Sequence, residues 1–333
     1  LMRSIIFIKF SILSSFKAVF GDFDIIYATS TPLTVAIPGI LAKWISRKRF
    51  VFEVRDSWPE LPYKMGLLNN KLIYYLLLFI EKIAYFSADI CIGLAPGICN
   101  RFKKLGVQKD KIKNVPNSCD IEIFQPLNKG KDKDPSLISK EFSSKDFVVA
   151  FTGAHGLANG LESILEVAKL LKQKNHKNIK FLFIGDGKIK PKLIKFKDKE
   201  NLNNCYFMDP VGKEKLSQYL KESVHLGLMV LRNIKAFYDG TSPNKFFDYL
   251  AAGLPVINNY PGWIADIILE NNIGIAVKPN NPSAFANAII KLLNDDNLRL
   301  EMSKNARLLA INNFSRERQT REIINIFQDL NLN

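Results

Sequence analysis

Short runs of apolar residues alternate with longer segments of helical periodicity along most of the chain. The first series of apolar runs predicts strands at residues 24–28, 50–54, 90–94 and 112–115. A second series predicts strands at residues 147–151, 179–184, 205–208, 226–230, 256–258 and 275–277. Helical segments, the first over residues 33–45, fill the gaps. Strands that alternate with helices are typical of parallel sheets covered by helices, so the pattern predicts an α/β protein.

The two series of strands predict two Rossmann-like, doubly wound domains that are joined by a charged segment. Residues 127–145 contain eight Lys, Asp and Glu residues together with Gly130 and Pro135, and this composition favours a linker. The predicted domains are residues 1–126 and residues 146–313, followed by a C-terminal helix at residues 314–333.

Residues 238–257 combine a loop, a helix and a buried strand. Ser242 is predicted to cap the helix, Pro243 to occupy its first position and Gly253 to end it. The free amides of such a first turn favour an anion, and the Lys245 ammonium group adds a full positive charge. The segment therefore predicts a phosphate-binding site.

Asn244, Lys245 and Asp248 fall on one face of this predicted helix. A carboxylate one turn from a phosphate site is well placed to accept hydrogen bonds from the hydroxyl groups of a ribose. The same spacing also fits an ordinary capped amphipathic helix with one solvated Lys–Asp pair, so spacing alone leaves both interpretations open.

The chain has 47 Lys and Arg residues against 32 Asp and Glu residues, which gives a net charge of +15. A positive field attracts nucleotides, nucleic acids and anionic lipids alike, so its sign selects no partner. The lysines are dispersed and are not interleaved with aromatic residues along a strand, which argues against a nucleic-acid binder. The four cysteines have no C-x-x-C spacing, and this favours a reduced, cytoplasmic chain.

The run GTSPNKFFDYLAAGLPVI at residues 240–257 resembles the donor-site motif of glycosyltransferase family 4. The members are retaining enzymes with the two-domain GT-B fold, and the run is most similar to the branch that assembles bacterial O-antigen and capsule sugars. The resemblance implies two Rossmann-like domains that face a cleft, a nucleotide sugar bound by the second domain, and no cofactor. It also implies that the final helix returns to the first domain and that this domain lacks its N-terminal part.

Glycines follow the first two strands of the predicted second domain, namely Gly153 and Gly156 after one strand and Gly185 and Gly187 after the next. A glycine at a strand exit lets the backbone approach a phosphate closely. The resemblance implies that these glycines line the donor site and that His155 contacts the sugar or the phosphate. A histidine that only orders the loop fits the sequence equally well.

Two departures from the family pattern remove positive charge, because many members carry Arg and Lys where this chain has Ala154 and Asn159. Arg232, together with the lysine of the predicted helix, is expected to compensate. Gly240 is a further departure, since it stands where the family has the first of two paired carboxylates. Asp248 fills the second position, which suffices for ribose recognition.

The segment RDSWPE follows the second predicted strand and resembles the family motif that faces the cleft from the acceptor domain. The resemblance implies that Arg55, Asp56, Trp58 and Glu60 contact the acceptor. Asp56 and Glu60, together with Lys245, are therefore the catalytic candidates. An aspartate that only caps this loop against the tryptophan is the structural alternative.

The sequence predicts no metal site and favours contact with a membrane. The D-x-D triplets at residues 22–24 and 132–134 lie before a strand and in the linker, and helix amides with a lysine can stabilise a departing diphosphate directly. Residues 3–20 and 71–86 are rich in apolar side chains with interspersed lysines, and basic amphipathic helices bind anionic membrane surfaces. For residues 5–20, packing against the rest of the protein fits the pattern equally well.

Together these features predict a retaining transferase that takes a sugar from a nucleotide diphosphate donor, UDP in this interpretation. The expected acceptor is a saccharide carried on a polyprenyl diphosphate at the cytoplasmic face of a bacterial inner membrane. The alternative is a non-catalytic, transferase-like subunit that stabilises an active homologue or anchors it to the membrane.

Overall fold

The computed structural model describes residues 2–128 and 131–332, and it divides into two compact units. The first unit comprises Leu1–Asn117, Ile234–Ser242 and Gln319–Asn333, and the second comprises Ser118–Asn233 and Pro243–Arg318. The chain therefore passes from one unit to the other more than once.

Helices and strands alternate along the chain, as the apolar pattern predicts. The strands are β1 (Ile25–Thr29), β2 (Arg49–Val54), β3 (Ile90–Gly93), β4 (Ile112–Asn114), β5 (Phe147–Thr152), β6 (Ile179–Ile184), β7 (Cys205–Met208), β8 (Leu226–Met229), β9 (Val256–Asn258) and β10 (Gly274–Ala276). The helices are α1 (Met2–Phe20), α2 (Ala36–Ser46), α3 (Glu60–Lys64), α4 (Lys71–Ser87), α5 (Pro96–Lys104), α6 (Glu162–Gln173), α7 (Lys190–Lys199), α8 (Lys213–Glu222), α9 (Lys235–Tyr238), α10 (Asn244–Ala251), α11 (Trp263–Glu270), α12 (Pro282–Asn294), α13 (Asp296–Asn313) and α14 (Arg316–Leu332).

The first unit is built on a parallel sheet with strand order β1-β2-β3-β4. The β2 strand is buried along nearly its whole length, as expected for a strand covered by helices on both faces. Val51, Ile92 and Val115 pack together on one side of this sheet with Ile326 of α14. The last helix thus buries an apolar stripe against the sheet formed by the first part of the chain.

The second unit is built on a parallel sheet with strand order β10-β9-β8-β5-β6-β7. All residues of β5 are buried, so this central strand reads as a continuous apolar run and not as an alternating one. Helix α6 buries Ile164, Leu165, Ala168 and Leu171, which share one face at helical spacing, against the core of this sheet.

Side-chain caps fix several helix starts. The Asn281 carboxamide oxygen accepts a hydrogen bond from the Ala284 amide at 2.9 Å, and the Asp295 carboxylate accepts one from the Leu298 amide at 2.9 Å. Each cap satisfies a first-turn amide that has no partner inside the helix. Pro282 occupies the first position of α12, where its missing N–H costs nothing.

The two units differ from the predicted domains at residues 118–145 and 234–242. The charged segment belongs to the second unit, where the Lys133 ammonium group donates to the carbonyl oxygens of Leu220 and Lys221 at 3.1 and 2.8 Å. Lys129 and Gly130 of the predicted linker lie outside the described residues. Residues 234–242 belong to the first unit, although the alternation of strands and helices had assigned them to the second.

Apolar side chains of α1 and α4 are unusually exposed, and α2 contacts both helices. We call this set the α1–α4 apolar surface, and each member is more than half exposed. Its members include Ile8, Ile12, Leu13, Phe16 and Phe20 on α1, and Leu72, Tyr75, Leu76, Phe79 and Phe86 on α4. Over residues 2–128 and 131–332, none of the helices combines the length and the apolar character needed to cross a membrane.

Candidate functional site

The strand order of the second unit predicts where a ligand binds. From β5 the chain runs to β6 and β7 on one side of the sheet, and then to β8, β9 and β10 on the other. The order therefore reverses between β5 and β8. In open α/β sheets, ligands bind beyond the carboxyl ends of the strands at such a switch point, so the loops that leave β5 and β8 are the candidate site.

The glycine loops after β5 and β6 are packed directly against each other. Gly153 and Gly185 have φ angles of +117° and +148°, which side chains rarely adopt. A Cβ atom at Gly185 would lie 1.9 Å from the Gly153 carbonyl oxygen, and one at Gly187 would lie 2.5 Å from the His155 carbonyl oxygen. Gly185 and Gly187 are thus required by loop packing, and the Gly153 backbone is exposed at the strand exit.

The imidazole of His155 lies beneath the loop and not on its surface, because the residue is fully buried. Neither ring nitrogen has a hydrogen-bond partner among the residues that the structure describes. Burial, together with the nearby Lys190 charge, lowers the pKa of His155 to about 4, so the ring is neutral. The predicted contact of His155 with the donor stays a prediction, whereas the alternative of a histidine that orders the loop fits the burial of the ring.

Lys245 presents its ammonium group beside the β5 loop. Its Nζ atom lies 3.8 Å from the centre of the Phe151 ring and 3.2 Å from the Asn159 carboxamide oxygen, to which it donates. Burial alone lowers the pKa of Lys245 to about 7, and no carboxylate of the described chain offsets that burial. The solvated Lys–Asp pair of the simple amphipathic-helix interpretation is therefore absent from the described residues, and the lysine is available to an anion.

The start of α10 differs from the prediction at two positions. Pro243 is the N-cap residue and not the first helical residue, and it provides no side-chain cap. Ser242 does not cap the helix, because its hydroxyl oxygen accepts a hydrogen bond from the Asn117 amide at 3.0 Å within the first unit. The exposed Asn244 and the half-buried Lys245 still contribute first-turn amides with no partner inside the helix. At the other end, Gly253 has a φ angle of +63° and terminates the helix as predicted.

Asp248 is half-buried one turn further along α10. Burial raises the pKa of its carboxyl group to about 6, which the Asp120 charge reinforces and the Lys213 and Arg316 charges oppose. Asp120 itself lies 2.9 Å from Arg316 and 3.7 Å from Lys213. Asp248 is therefore a carboxylate whose ionised form gains from new hydrogen-bond donors such as hydroxyl groups.

Arg232 leaves the carboxyl end of β8 beside the loop that follows β5. Its backbone amide donates to the Ala158 carbonyl oxygen at 2.8 Å, and its side chain is exposed. A Cβ atom at Gly160 would lie 3.2 Å from the Arg232 backbone, so the two loops touch. The structure thus places Arg232 at the switch point, where its contact with a phosphate stays a prediction.

In the first unit, Asp56 lies just past the carboxyl end of β2. Its carboxylate accepts a hydrogen bond from the Thr31 hydroxyl group. The Trp58 amide donates to the Asp56 backbone carbonyl oxygen at 2.9 Å and not to the carboxylate. Burial raises the pKa of Asp56, and the neighbouring Arg55 charge opposes this rise. Arg55 is exposed and Trp58 is half-buried, so both can reach a ligand at this edge of the sheet.

Glu60 has a structural role that the sequence did not reveal. Its carboxylate lies 2.7 Å from the Arg101 guanidinium group and is also paired with Lys64. Burial acts to raise the pKa of Glu60, but the hydrogen bond with Lys64 and the Arg101 and Lys64 charges hold it below its ordinary value. Arg101 also makes a bidentate contact with the buried Glu81. The catalytic role of Glu60 stays a prediction, and these contacts argue against it, because a carboxylate held by two cations is a poor proton acceptor.

Two residues that support the site were missed from the sequence. The Lys190 ammonium group, nearly buried, donates to the Gly185 and Met208 carbonyl oxygens at 3.0 and 3.1 Å and pairs with Asp209 at 2.6 Å, which ties the β6 and β7 exits together. Asn159 was interpreted only as a lost cation, yet it is the hydrogen-bond partner of Lys245. No spacing rule connects residues so far apart in the chain. Over the described part of the chain, no cluster of three His, Cys, Asp or Glu side chains could hold a metal ion.

A doubly wound sheet with glycine loops and a lysine at its switch point defines a nucleotide-binding α/β protein. The chain belongs to the family described as glycosyl transferases group 1, whose model matches residues 132–309, more than half of the sequence. It is therefore a glycosyltransferase.

Individual relatives are distant but cover much of the chain. A glycosyltransferase of Methanocaldococcus jannaschii is 23% identical over 317 residues, which cover 93% of this chain and 76% of the relative. The UDP-Gal:alpha-D-GlcNAc-diphosphoundecaprenol alpha-1,3-galactosyltransferase of Escherichia coli is 27% identical over 69% of this chain and 57% of its own length. The solved structure of HepE from Anabaena in complex with UDP matches 97% of this chain and 82% of its own, with a TM-score of 0.75 at 15% identity. The chain thus has the GT-B fold.

Proposed function

We propose that this protein is a retaining glycosyltransferase that moves a sugar from a UDP-linked donor to a saccharide carried on a polyprenyl diphosphate. Family membership supports the reaction class, and the name of the E. coli relative supports both substrate classes. The proposed product is an intermediate of a bacterial surface polysaccharide such as O-antigen or capsule.

The observation that carries the proposal is Lys245 at the switch point of the second sheet. Holding a half-buried ammonium group without a carboxylate partner among the described residues costs free energy. A bound phosphate would supply the missing negative charge. Gly153 lies beside it, since a Cβ atom there would be only 3.7 Å from the Nζ atom. A diphosphate can therefore approach the backbone and the lysine at the same point.

In the proposed mechanism, most of the catalysis comes from holding the two substrates together and stabilising the charge on the leaving UDP. Lys245, the first-turn amides of α10 and the Arg232 guanidinium group neutralise the diphosphate. Asp248 accepts hydrogen bonds from the ribose hydroxyl groups. We assign Asp56, in the first unit, to the acceptor. No metal and no cofactor enter this scheme.

We further propose that the α1–α4 apolar surface binds the cytoplasmic face of the membrane that carries the acceptor. Exposed lysines accompany it, namely Lys9 and Lys17 on α1 and Lys71 and Lys82 on α4. Apolar side chains with interspersed lysines complement an anionic lipid surface, because the rings enter the headgroup region while the ammonium groups pair with phosphates.

The transfer reaction is tested by incubating the protein with UDP-glucose, UDP-galactose or UDP-N-acetylglucosamine and an undecaprenyl diphosphate-linked saccharide. Release of UDP with formation of a longer lipid-linked saccharide is expected for one of the donors, and not for Lys245→Met. If UDP does not bind the wild type by calorimetry, the proposal is wrong and the protein is a non-catalytic partner subunit.

The membrane contact is tested by flotation with vesicles that contain phosphatidylglycerol. Leu76→Glu and Phe79→Glu are expected to reduce the bound fraction severalfold. Leu300→Glu and Leu308→Glu replace leucines that are exposed to a similar extent on α13, so they serve as matched controls and should leave binding unchanged. Equal binding by both pairs of variants would exclude this surface.

A further inference from the structure

Asn159 joins the loop that follows β5 to the lysine of α10. Its Oδ1 atom accepts a hydrogen bond from the Lys245 Nζ atom at 3.2 Å, and its Nδ2 group donates to the Ala154 carbonyl oxygen at 2.7 Å. These two contacts leave one orientation for the carboxamide, since a reversed amide would place N–H groups against the ammonium group. Asn159 is thus held by the loop and in turn holds the lysine.

The backbone of Asn159 is itself fixed. It ends a short 3₁₀ turn, Leu157–Asn159, in which the Asn159 amide donates to the Gly156 carbonyl oxygen at 3.2 Å. Gly160 follows with a φ angle of +56°, and the neighbouring Ala158 carbonyl oxygen accepts from the Arg232 amide at 2.8 Å. The carboxamide oxygen therefore occupies a defined position at the rim of the site.

A neutral acceptor at this position has a different effect from a charged one. A lysine side chain has a long flexible stem, and its entropy is lost when a ligand fixes it. Asn159 and the Phe151 ring hold the Lys245 ammonium group in place before any ligand arrives. Because an amide carries no net charge, it leaves the positive charge of the lysine available, whereas a carboxylate would neutralise it and a cation would repel it.

We propose that Asn159 is a positioning residue that orders the Lys245 ammonium group for a nucleoside diphosphate without neutralising it. The inference rests on the proposed function of this site. It also gives Asn159 a role of its own, although a cation was expected at this position from the family pattern.

The test measures the affinity for UDP by calorimetry in a double-mutant cycle. Asn159→Asp and Asn159→Ala both lose the hydrogen bond to Ala154, so they differ only in the group that faces Lys245. With Lys245 present, we expect Asn159→Asp to weaken UDP binding about tenfold and Asn159→Ala about threefold. In the Lys245→Met background, Asn159→Ala should change the affinity by less than about twofold, and Asn159→Asp should retain only the direct repulsion between its carboxylate and the diphosphate.

A purely structural role would instead lower the affinity equally in both backgrounds, and that result would overturn the inference. Binding by Asn159→Asp as tight as in the wild type, or tighter, would overturn it as well. If Asn159→Asp does not fold, the comparison of Asn159→Ala in the two backgrounds still shows whether the effect of Asn159 on UDP affinity depends on Lys245. Asn287→Asp is a matched control, since Asn287 accepts a hydrogen bond from Lys174 at 3.4 Å on an exposed part of the same unit.

Two kinds of failure are distinguishable in this design. If the wild type binds no UDP, the proposed function fails, and the assignment of Asn159 fails with it. If the wild type binds UDP and Lys245→Met weakens that binding, while the Asn159 substitutions act independently of Lys245, only the role of Asn159 is wrong.

Discussion

Replacement of Lys245 by methionine removes the charge but keeps an unbranched side chain over the Phe151 ring. A charge-assisted hydrogen bond contributes about 1.5–3 kcal/mol. With a pKa of about 7, only part of the lysines are charged at neutral pH, and completing the charge on binding subtracts less than about 1 kcal/mol. The net loss is therefore about 1–2.5 kcal/mol, so Lys245→Met should weaken UDP binding about 5- to 70-fold.

Calorimetry at several pH values separates this mechanism from a general loss of structure. The pKa of Lys245 is lowered from 10.5 to about 7 in the folded protein, so the charged form that binds phosphate is lost as the pH rises above 7. The affinity of the wild type for UDP should then fall between pH 7 and pH 9 toward that of the variant, whose affinity stays constant.

The same substitution should stabilise the free protein near neutral pH. The lowered pKa of Lys245 destabilises the folded protein fully below pH 7, and this cost disappears as the pH rises towards the ordinary pKa of lysine, because in that interval the unfolded chain binds a proton that the folded chain lacks. Lys245→Met removes this cost, so its thermal unfolding temperature should rise. An affinity for UDP that Lys245→Met leaves unchanged, or lowers only because the variant unfolds, would refute the proposed role of the lysine.

Three further predictions concern the supporting structure and the ribose contact. Glu81→Gln breaks the buried pair with Arg101 and should lower the free energy of unfolding in denaturant by about 3–5 kcal/mol. Glu60→Gln, at the more exposed partner, should lower it by less than about 1 kcal/mol. Equal losses would contradict the view that Glu81 is the buried partner that stabilises the fold. Gly185→Ala should lower the unfolding temperature strongly, because its Cβ atom would overlap the Gly153 carbonyl oxygen. Gly212→Ala should leave it unchanged, because the space around Gly212 is open. Similar unfolding temperatures for the two variants would show that the glycine loops are not tightly packed. Burial raises the pKa of Asp248 to about 6, so its carboxylate is protonated between pH 7 and pH 5. The advantage in UDP affinity of the wild type over Asp248→Asn should therefore shrink over that range. An advantage that stays constant would exclude Asp248 from the ribose contact.

Much of the fold follows from local patterns in the sequence. The strands predicted at residues 147–151 and 179–184 are β5 and β6, because buried parallel strands read as continuous apolar runs. The glycine that ends α10 was also predictable, since a left-handed residue after a helix is usually glycine. Periodicity therefore placed the loops and the lysine of the site on the correct elements.

The contacts at the site that the sequence did not predict arise mostly between distant parts of the chain. Ser242 has the residue type of a helix cap, but its hydroxyl group bonds to the Asn117 amide. Glu60 lies in a motif typical of a catalytic carboxylate, but it forms ion pairs with Arg101 and Lys64. His155 follows a glycine at a strand exit, yet its ring is buried. Apart from Lys64, which lies four residues from Glu60, none of these partners can be recognised from spacing along the chain.

The central claim is that a diphosphate binds beside Lys245 at the switch point of the second sheet. A crystal structure of the protein soaked with UDP tests it directly. We expect a phosphate oxygen about 3 Å from the Lys245 Nζ atom and close to the Gly153 backbone, with the ribose at Asp248. UDP bound elsewhere, or no UDP bound at a concentration that saturates binding in solution, would contradict it.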